Sequence, residues 1–509
     1  MATTAPPAAP PGPSESVARK GLKLGAIGLL SSIVIGVAST APGYSLAATL
    51  GGVASEVGVK SPIIMLLAFV PMLFISYAYK ALNNAVPDCG TNFTWTAKAF
   101  GPRAGWINGW ALIAADIIVM AALAQIAGIY GFLLFGFDDL AANATWVTVA
   151  GCVWILIMTW VSWRGIELSA RTQYFLLGAE LIILAVFAGV ALFKVYAGTA
   201  GDLAIKPELE WFLPTGLSFT ALSAGFLLAV FIYWGWDSAV AANEETENPA
   251  VNPGRAAVRS TVVLLVTYIL VTVAAQAFAG VGEEGIGLTN PEHSDDVLSS
   301  VGEAVLGGWG VKLLIIAVLT SAAASTQTTI LPTARATLSM ASYKALPKAF
   351  ANVHPRYQTP TVSTWAMGLI SIAFYAGLTY FNNAALSDLI LSIGLLIAFY
   401  YGLTGFAAVW YFRRELFTSA KAFFLKGLFP FLGGVILFAA MIRTAIDSYA
   451  TDFGDTVLFN VGGVFVLGVG SVAIGIVLMI VWNIVAPAFF RGRTLAGVGA
   501  TDDATAARE

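Results

Sequence analysis

Residues 33–50 read IVIGVASTAPGYSLAATL, and their reading decides the fold. The stretch is apolar enough to lie in a membrane. Its centre, Ser39-Thr40-Ala41-Pro42-Gly43-Tyr44, is nonetheless poor helix. Proline lacks a backbone N–H and clashes with the preceding turn, and glycine is loose in a helix. An unsatisfied peptide group is costly in lipid, so a broken helix persists only where protein or a cavity shelters it. The break therefore points to a ligand site near the membrane midplane. The plainer alternative is a proline kink with no ligand role, since Pro and Gly are common in membrane helices.

Composition supports the membrane reading. Of 509 residues, 58% are hydrophobic and 11% charged, against about 25% charged in soluble domains. Mean hydropathy is +0.81. The net charge of −3 makes no case for a nucleic-acid partner. The two cysteines, Cys89 and Cys152, fall in an inner loop and a span, so no disulfide between them is expected and neither belongs to a metal-ligand cluster. His293 and His354 fall in separate loops and read as solvated residues. Residues 1–18, rich in Pro and Ala, read as a disordered tail; they lack the pattern of a signal peptide. The tail after Arg493 reads as disordered too.

A helical span needs about 20 apolar residues. Twelve candidates follow: 24–53, 61–82, 105–135, 145–163, 171–197, 219–242, 260–281, 310–337, 361–381, 386–411, 423–446 and 458–487. With the N-terminus inside, only Lys60, Lys194, Lys206, Lys312 and Arg443 of the 26 basic residues fall outside. That asymmetry supports both the orientation and the span count, because one missed span would invert every later loop. Both termini are then cytoplasmic.

The sixth span carries Tyr233-Trp234-Gly235-Trp236-Asp237 at its middle. Gly235 permits a break and the aromatics can wall a pocket; simple packing around a small glycine is the alternative. Paired interrupted helices at matching places of two halves are the signature of an inverted-repeat transporter. The expected architecture is all-α: repeat one over 24–197, repeat two over 219–411, extra helices over 423–487, all within a domain of 19–487, and a tail over 488–509.

Several blocks resemble the amino acid–polyamine–organocation (APC) permeases. Residues 85–110, AVPDCGTNFTWTAKAFGPRAGWINGW, match the family's loop after span two. SWRGIELSARTQ after span four, WGWDSAVAANEETENPAVNPGRA in and after span six, and TARATLSMASYKALPKAFANVHPRYQTP after span eight follow in the family's order. The resemblance covers about 24–412 and implies the leucine-transporter-like fold of 5+5 inverted repeats, with substrate held between spans 1, 3, 6, 8 and 10. It implies substrate contacts at Ser39, Thr40, Ala41, Pro42, Gly43 and Tyr44 and at Tyr233 to Asp237. Two positions depart from the pattern. Pro42 removes one of the amides that bind a substrate carboxylate in many relatives, with the Ser39 and Thr40 hydroxyls as candidate replacements; and Lys80-Ala81 stands where many relatives carry a carboxylate.

Ionisable groups at membrane depth are costly and functional by default. Glu180 lies about ten residues, or roughly 15 Å, into span five. It aligns with a lysine of proton-coupled relatives that occupies the place of a sodium ion. Desolvation disfavours a buried carboxyl's charged form, so Glu180 can take a proton outside and release it inside. Holding a cation or a substrate amine, or a purely structural role, are the alternatives. Asp116 in span three can pair with a substrate ammonium or bond between helices. Asp237 can cap the second half of span six, as acidic side chains do at helix N-termini. Ser325 and Thr326 of span eight can complete an ion site with Glu180 or bond to neighbouring helices. Phe399, Tyr400 and Tyr401 in span ten are gate candidates or packing residues, with Tyr400 also a candidate substrate contact.

The expectation is a plasma-membrane transporter of amino acids or related amines, without cofactor, coupled to H+ with Na+ as the alternative. An amino acid/amine antiporter is the first rival. A non-transporting sensor predicts a large extension, and the tails here are short. An enzyme is not expected: the sequence carries no metal cluster, nucleotide loop or nucleophile–base pair. Oligomeric state is not legible.

Overall fold

The computed structural model describes residues 20–292, 294, 296–381 and 388–495. The expected tail of residues 1–18, His293 and most of the C-terminal tail lie outside them.

The first apolar stretch forms α1 (Leu29–Ala38) and α2 (Pro42–Val57), followed by α3 (Ser61–Ala85). A short helix α4 (Asn92–Phe100) precedes α5 (Pro102–Leu134). Then come α6 (Ala144–Arg164), α7 (Ile166–Ala197), α8 (Phe219–Ile232), the single turn α9 (Ser238–Ala241) and α10 (Asn252–Ala279). The shorter helix α11 (Val297–Leu306) leads into α12 (Gly308–Ser342). The chain closes with α13 (Thr361–Phe381), α14 (Leu389–Tyr411), α15 (Phe429–Asp447) and α16 (Gly463–Val485). Ten helical runs among the described residues are long and apolar enough to cross a membrane, the first spanning Leu29–Ala85. Phe219–Ile232 is apolar but shorter. The molecule is an all-helical, multi-pass membrane protein.

Several boundaries differ from the sequence expectation, among them the start of α10, at Asn252 rather than 260. The last span starts at Gly463 rather than 458, because Val457–Leu458 (β1) and Val461–Gly462 (β2) pair as an antiparallel hairpin. Phe459 and Asn460 at its tip both have positive φ, 55° and 62°, the backbone a two-residue hairpin turn demands. At the other end the C-terminal tail begins later than 488. Phe489 and Phe490 are buried, and Phe489 packs on Phe93 with ring centres 5.5 Å apart.

The helices pack around the two breaks. α1 lies against α10, and α2 against α8; α12 contacts α5 and α7; α14 contacts α5. The turn α9 sits between α1 and α12. Lipid-facing surfaces remain apolar, as at Phe175 on α7 and Ile484 on α16. Mid-depth polar residues, among them Asp116, Glu180 and Gln327, are turned inward and buried.

Candidate substrate and ion site

At the first break the chain leaves α1 at Ser39 and passes Ala41, whose φ of 47° is left-handed. The break is sheltered because each freed polar group finds a partner. The Ser325 hydroxyl donates to the Ser39 carbonyl at 2.9 Å, and the Ser45 hydroxyl to the Thr40 carbonyl at 2.7 Å. Pro42 opens α2 where a missing N–H costs nothing. The next two amides, which a helix's first turn leaves without internal acceptors, are bonded to side chains. Gly43 N–H donates to Glu180 Oε1 at 2.6 Å, and Tyr44 N–H donates to Ser321 Oγ at 3.2 Å. Glu180 is fully buried, and its Oε2 has no hydrogen-bond partner among the described residues. Its carboxyl therefore caps the positive end of α2.

At the second break, Gly235 has φ of +115°, and a Cβ there would come within 2.6 Å of the Ser39 carbonyl oxygen. Only glycine lets the two interrupted backbones touch. Ser39 Oγ and Ser238 Oγ, 2.8 Å apart, join them again. The end of α8 is satisfied from outside: the Tyr268 hydroxyl donates to the Ile232 carbonyl at 2.5 Å.

Asp237 is a correction. It makes no side-chain capping bond to α9. Its carboxylate instead accepts the hydroxyls of Tyr401 at 2.8 Å and Tyr400 at 3.3 Å. Two phenols from α14 offer an acceptor more than a one-turn helix does. The Trp234 indole N–H donates in turn to the Tyr400 hydroxyl, so Tyr400 is a tie between α14 and the second break. Trp236 is fully buried, 5.2 Å from the Tyr401 ring and 5.1 Å from Tyr79. The Tyr233 hydroxyl points away, donating to the Met65 carbonyl. Asp116 is buried in α5 and accepts the Thr333 hydroxyl from α12.

Of the expected ion-site residues, Ser325 faces the first break, but Thr326 does not. The Thr326 hydroxyl donates to Ala322 within its own helix. Thr40 likewise donates to the Val37 carbonyl one turn back. Ser321, missed from sequence, takes the place beside Gly43 and Glu180; it lies four residues before Ser325 and so on the same helix face. Thr333 and Ser238 carried no sequence signal of their own.

A second polar cluster lies where the segment before α1 meets the loops after α3 and α9. Lys20 Nζ lies 2.9 Å from Asp88 and 2.6 Å from Glu244, and donates to Cys89 Sγ at 3.6 Å. The ligand atoms of Asp88, Cys89 and Glu244 lie within 4.8 Å of one another, which corrects the expectation that Cys89 stands outside any such cluster. The Lys20 ammonium supplies the positive charge there. Burial works against that charge, yet Asp88, Cys89 and Glu244 outweigh it and hold Lys20 well above the ordinary lysine value. Burial pushes Asp88 up, and Lys20 together with Ser339 and the Gly90 amide more than reverses it, leaving Asp88 well below the usual carboxylate range. Glu244 is raised, chiefly by burial. Nearby, Arg335 of α12 grips Glu245 in a two-point ion pair at 2.8 and 3.0 Å, both side chains fully buried.

The two interrupted segments touch, and polar groups of α7, α12 and α14 are bonded onto them. The sequence profile described as "Amino acid permease" matches residues 24–488. The chain belongs to the amino acid permease family. This permease is similar to transporters named for different substrates. It is 26% identical over 347 residues to the methylthioribose transporter of Bacillus subtilis (strain 168), covering 66% of this chain and 70% of that one. It is 26% identical to the cationic amino acid transporter 4, vacuolar, of Arabidopsis thaliana, covering 74% of this chain and 61% of that longer protein. It is 27% identical to the branched-chain amino acid permease BcaP of Lactococcus lactis subsp. cremoris (strain MG1363), covering 66% and 71%. The permease is a transporter of amino acids or related compounds, not an enzyme.

Proposed function

We propose that this permease is a plasma-membrane secondary transporter of amino acids or related amines, working by alternating access and coupled to protons through Glu180. The architecture assigned to it is twelve spans, with spans one to five and six to ten as inverted repeats and both termini cytoplasmic. One observation carries the coupling: Glu180 Oε1 accepts the Gly43 N–H at the first break while Oε2 is buried without a protein partner. A proton on Oε2 neutralises the carboxyl without removing the Gly43 bond. The ionised form instead favours whatever brings water or a cation to Oε2. Protonation and the arrangement of the break are thereby linked, which a symporter requires.

The substrate amine is assigned to the region of Asp116 and Asp237, with Trp234, Trp236 and Tyr400 as walls. Exchange of an amino acid for an amine is the second reading. It is favoured because Gly43 and Tyr44 N–H are taken by Glu180 and Ser321, so a substrate carboxylate must displace an internal partner, whereas an amine need not.

Uptake into proteoliposomes tests both. Accumulation of an amino acid driven by an inward proton gradient, abolished by a protonophore and indifferent to sodium, is expected. Dependence on a sodium gradient would overturn the proton assignment. Strong stimulation by preloaded amine, with no response to the proton gradient, selects exchange.

A further inference from the structure

A cavity of about 270 Å³ opens on the lysine- and arginine-rich face, where the end of α6, the start of α7, the segment before α1 and the loop after α12 meet. Its walls carry four cations, Lys23, Arg164, Arg171 and Arg356, against one carboxylate, Glu167. Glu167 is engaged by Lys23 at 2.9 Å. Among the described residues no carboxylate lies within ion-pair distance of the three arginines.

Two of the arginines are positioned rather than splayed. The Arg164 and Arg356 guanidinium carbons lie 4.9 and 5.6 Å from the centre of one ring, that of Tyr357. Tyr357 is held in place by stacking on His354 at 4.5 Å and by an edge contact with Trp163 at 5.0 Å. The Thr359 hydroxyl donates to the Trp163 carbonyl at 2.7 Å, tying the loop to the end of α6. Cation–π contacts orient guanidinium groups without neutralising them. Their N–H forks therefore stay available, and such forks match phosphate oxygens.

The surroundings identify the source of the phosphate. Arg164 also lies 5.2 Å from the Trp160 ring. Trp160 and Leu168 beside the cavity are 45% and 39% exposed, and continue into the exposed apolar surface of Phe175 and Ile182 on α7. The cavity thus sits at the edge of the lipid-facing belt, where headgroups lie and acyl chains can follow α7. Basic pockets between spanning helices suit anionic headgroups.

We infer that this cavity binds the phosphate headgroup of an anionic phospholipid. By joining Lys23 to Arg356, the lipid ties the segment leading into the interrupted first helix to the loop after α12. This holds whatever the transported substrate is.

The test uses the full chain in nanodiscs of phosphatidylcholine with or without phosphatidylglycerol, with retained lipid counted by native mass spectrometry. Phosphatidylglycerol is expected to be retained several-fold over phosphatidylcholine. The double variant R164Q/R356Q should bring the two lipids to near-equal retention, since each basic residue near an anionic surface is worth about 1 kcal/mol, or roughly fivefold. R413Q/R414Q, on the same basic face, should leave it unchanged. Folding of each variant is checked by thermal melting. R171Q, which touches no aromatic ring, should lower the preference several-fold even if R164Q/R356Q fails to fold. Equal retention of the two lipids by the parent protein, unchanged retention in R171Q, or displacement of the lipid by millimolar inorganic phosphate overturns the proposal; the last result would mark a site for the free ion.

Discussion

Glu180 on α7 and Gly43 on α2, joined by a 2.6 Å hydrogen bond, connect an intramembrane carboxyl to the backbone of a broken helix. Changing the charge of the one changes the electrostatics at the end of the other. The Gly43 amide is thereby occupied by the protein's own side chain.

Glu180→Gln keeps a carbonyl acceptor for Gly43 and removes the titration. It should therefore express and melt near wild type, while uptake loses its dependence on the proton gradient. Glu180→Ala orphans the buried Gly43 N–H and should cost about 1–3 kcal/mol. Proteoliposome uptake across pH 5–8 and thermal melting separate the two. Unaltered proton coupling in Glu180→Gln would remove Glu180 from the mechanism.

Gly235→Ala places a methyl against the Ser39 carbonyl in a backbone region that L-residues avoid. A cost of at least about 2 kcal/mol is expected, together with loss of transport as the two breaks are forced apart. Wild-type uptake by this variant would show that the close approach of the breaks has no functional weight.

Asp116→Asn keeps the hydrogen bond with Thr333 and removes the charge. Binding of amine-bearing ligands should fall about tenfold or more, with smaller effects on neutral ones. A thermal-shift series of amines and amino acids reads this directly. Equal losses for every ligand would mean that Asp116 serves packing instead.

The Lys20–Asp88 pair predicts a pH-independent effect. Asp88, held below its ordinary value, contributes stability above about pH 3.9 and loses it only as pH falls through its folded value. Lys20, held above its ordinary value, contributes below about pH 10.4 and loses it only at higher pH. Neither loss falls within pH 5–8. Asp88→Asn should therefore lower the melting temperature by a constant amount across that range. A deficit that disappears at pH 5 would contradict the ionised pair.

Cys89 offers a probe of opening on the same face. Burial, then Glu244, pushes its thiol well above the usual value, and the thiolate is the reactive form. In a Cys152→Ser background, maleimide should label Cys89 slowly. Lys20→Ala should speed labelling several-fold by loosening the cluster. Rapid labelling of the parent protein would mean that the cluster is already open.

Both weak points of the fold are legible in the amino-acid sequence. Ser39 to Gly43 announces a break because Pro42 and Gly43 oppose helix whatever surrounds them. Gly235 among aromatics announces the second. Period and length, however, cannot distinguish the 457–462 hairpin from the start of a span, since both are apolar. Side-chain direction is also hidden. Thr326 and Ser321 are both hydroxyl residues on α12, yet only Ser321 meets the break. Asp237 reads as a cap because its local position is right for one; Tyr400 and Tyr401, more than 160 residues away, compete successfully for its oxygens.

The sequence by itself determined the membrane setting, the order of the apolar stretches, the two weak points and the family resemblance. These follow from local properties: apolar length, basic-residue asymmetry, and the backbone chemistry of proline and glycine. Only the tertiary structure decided that the weak points touch through Gly235 and Ser39. It also decided that Glu180 claims the Gly43 amide, and that Lys20 closes a cluster with Asp88, Cys89 and Glu244. Those contacts join residues far apart in the chain, and a buried polar group's choice among several partners depends on helix packing that no local pattern encodes.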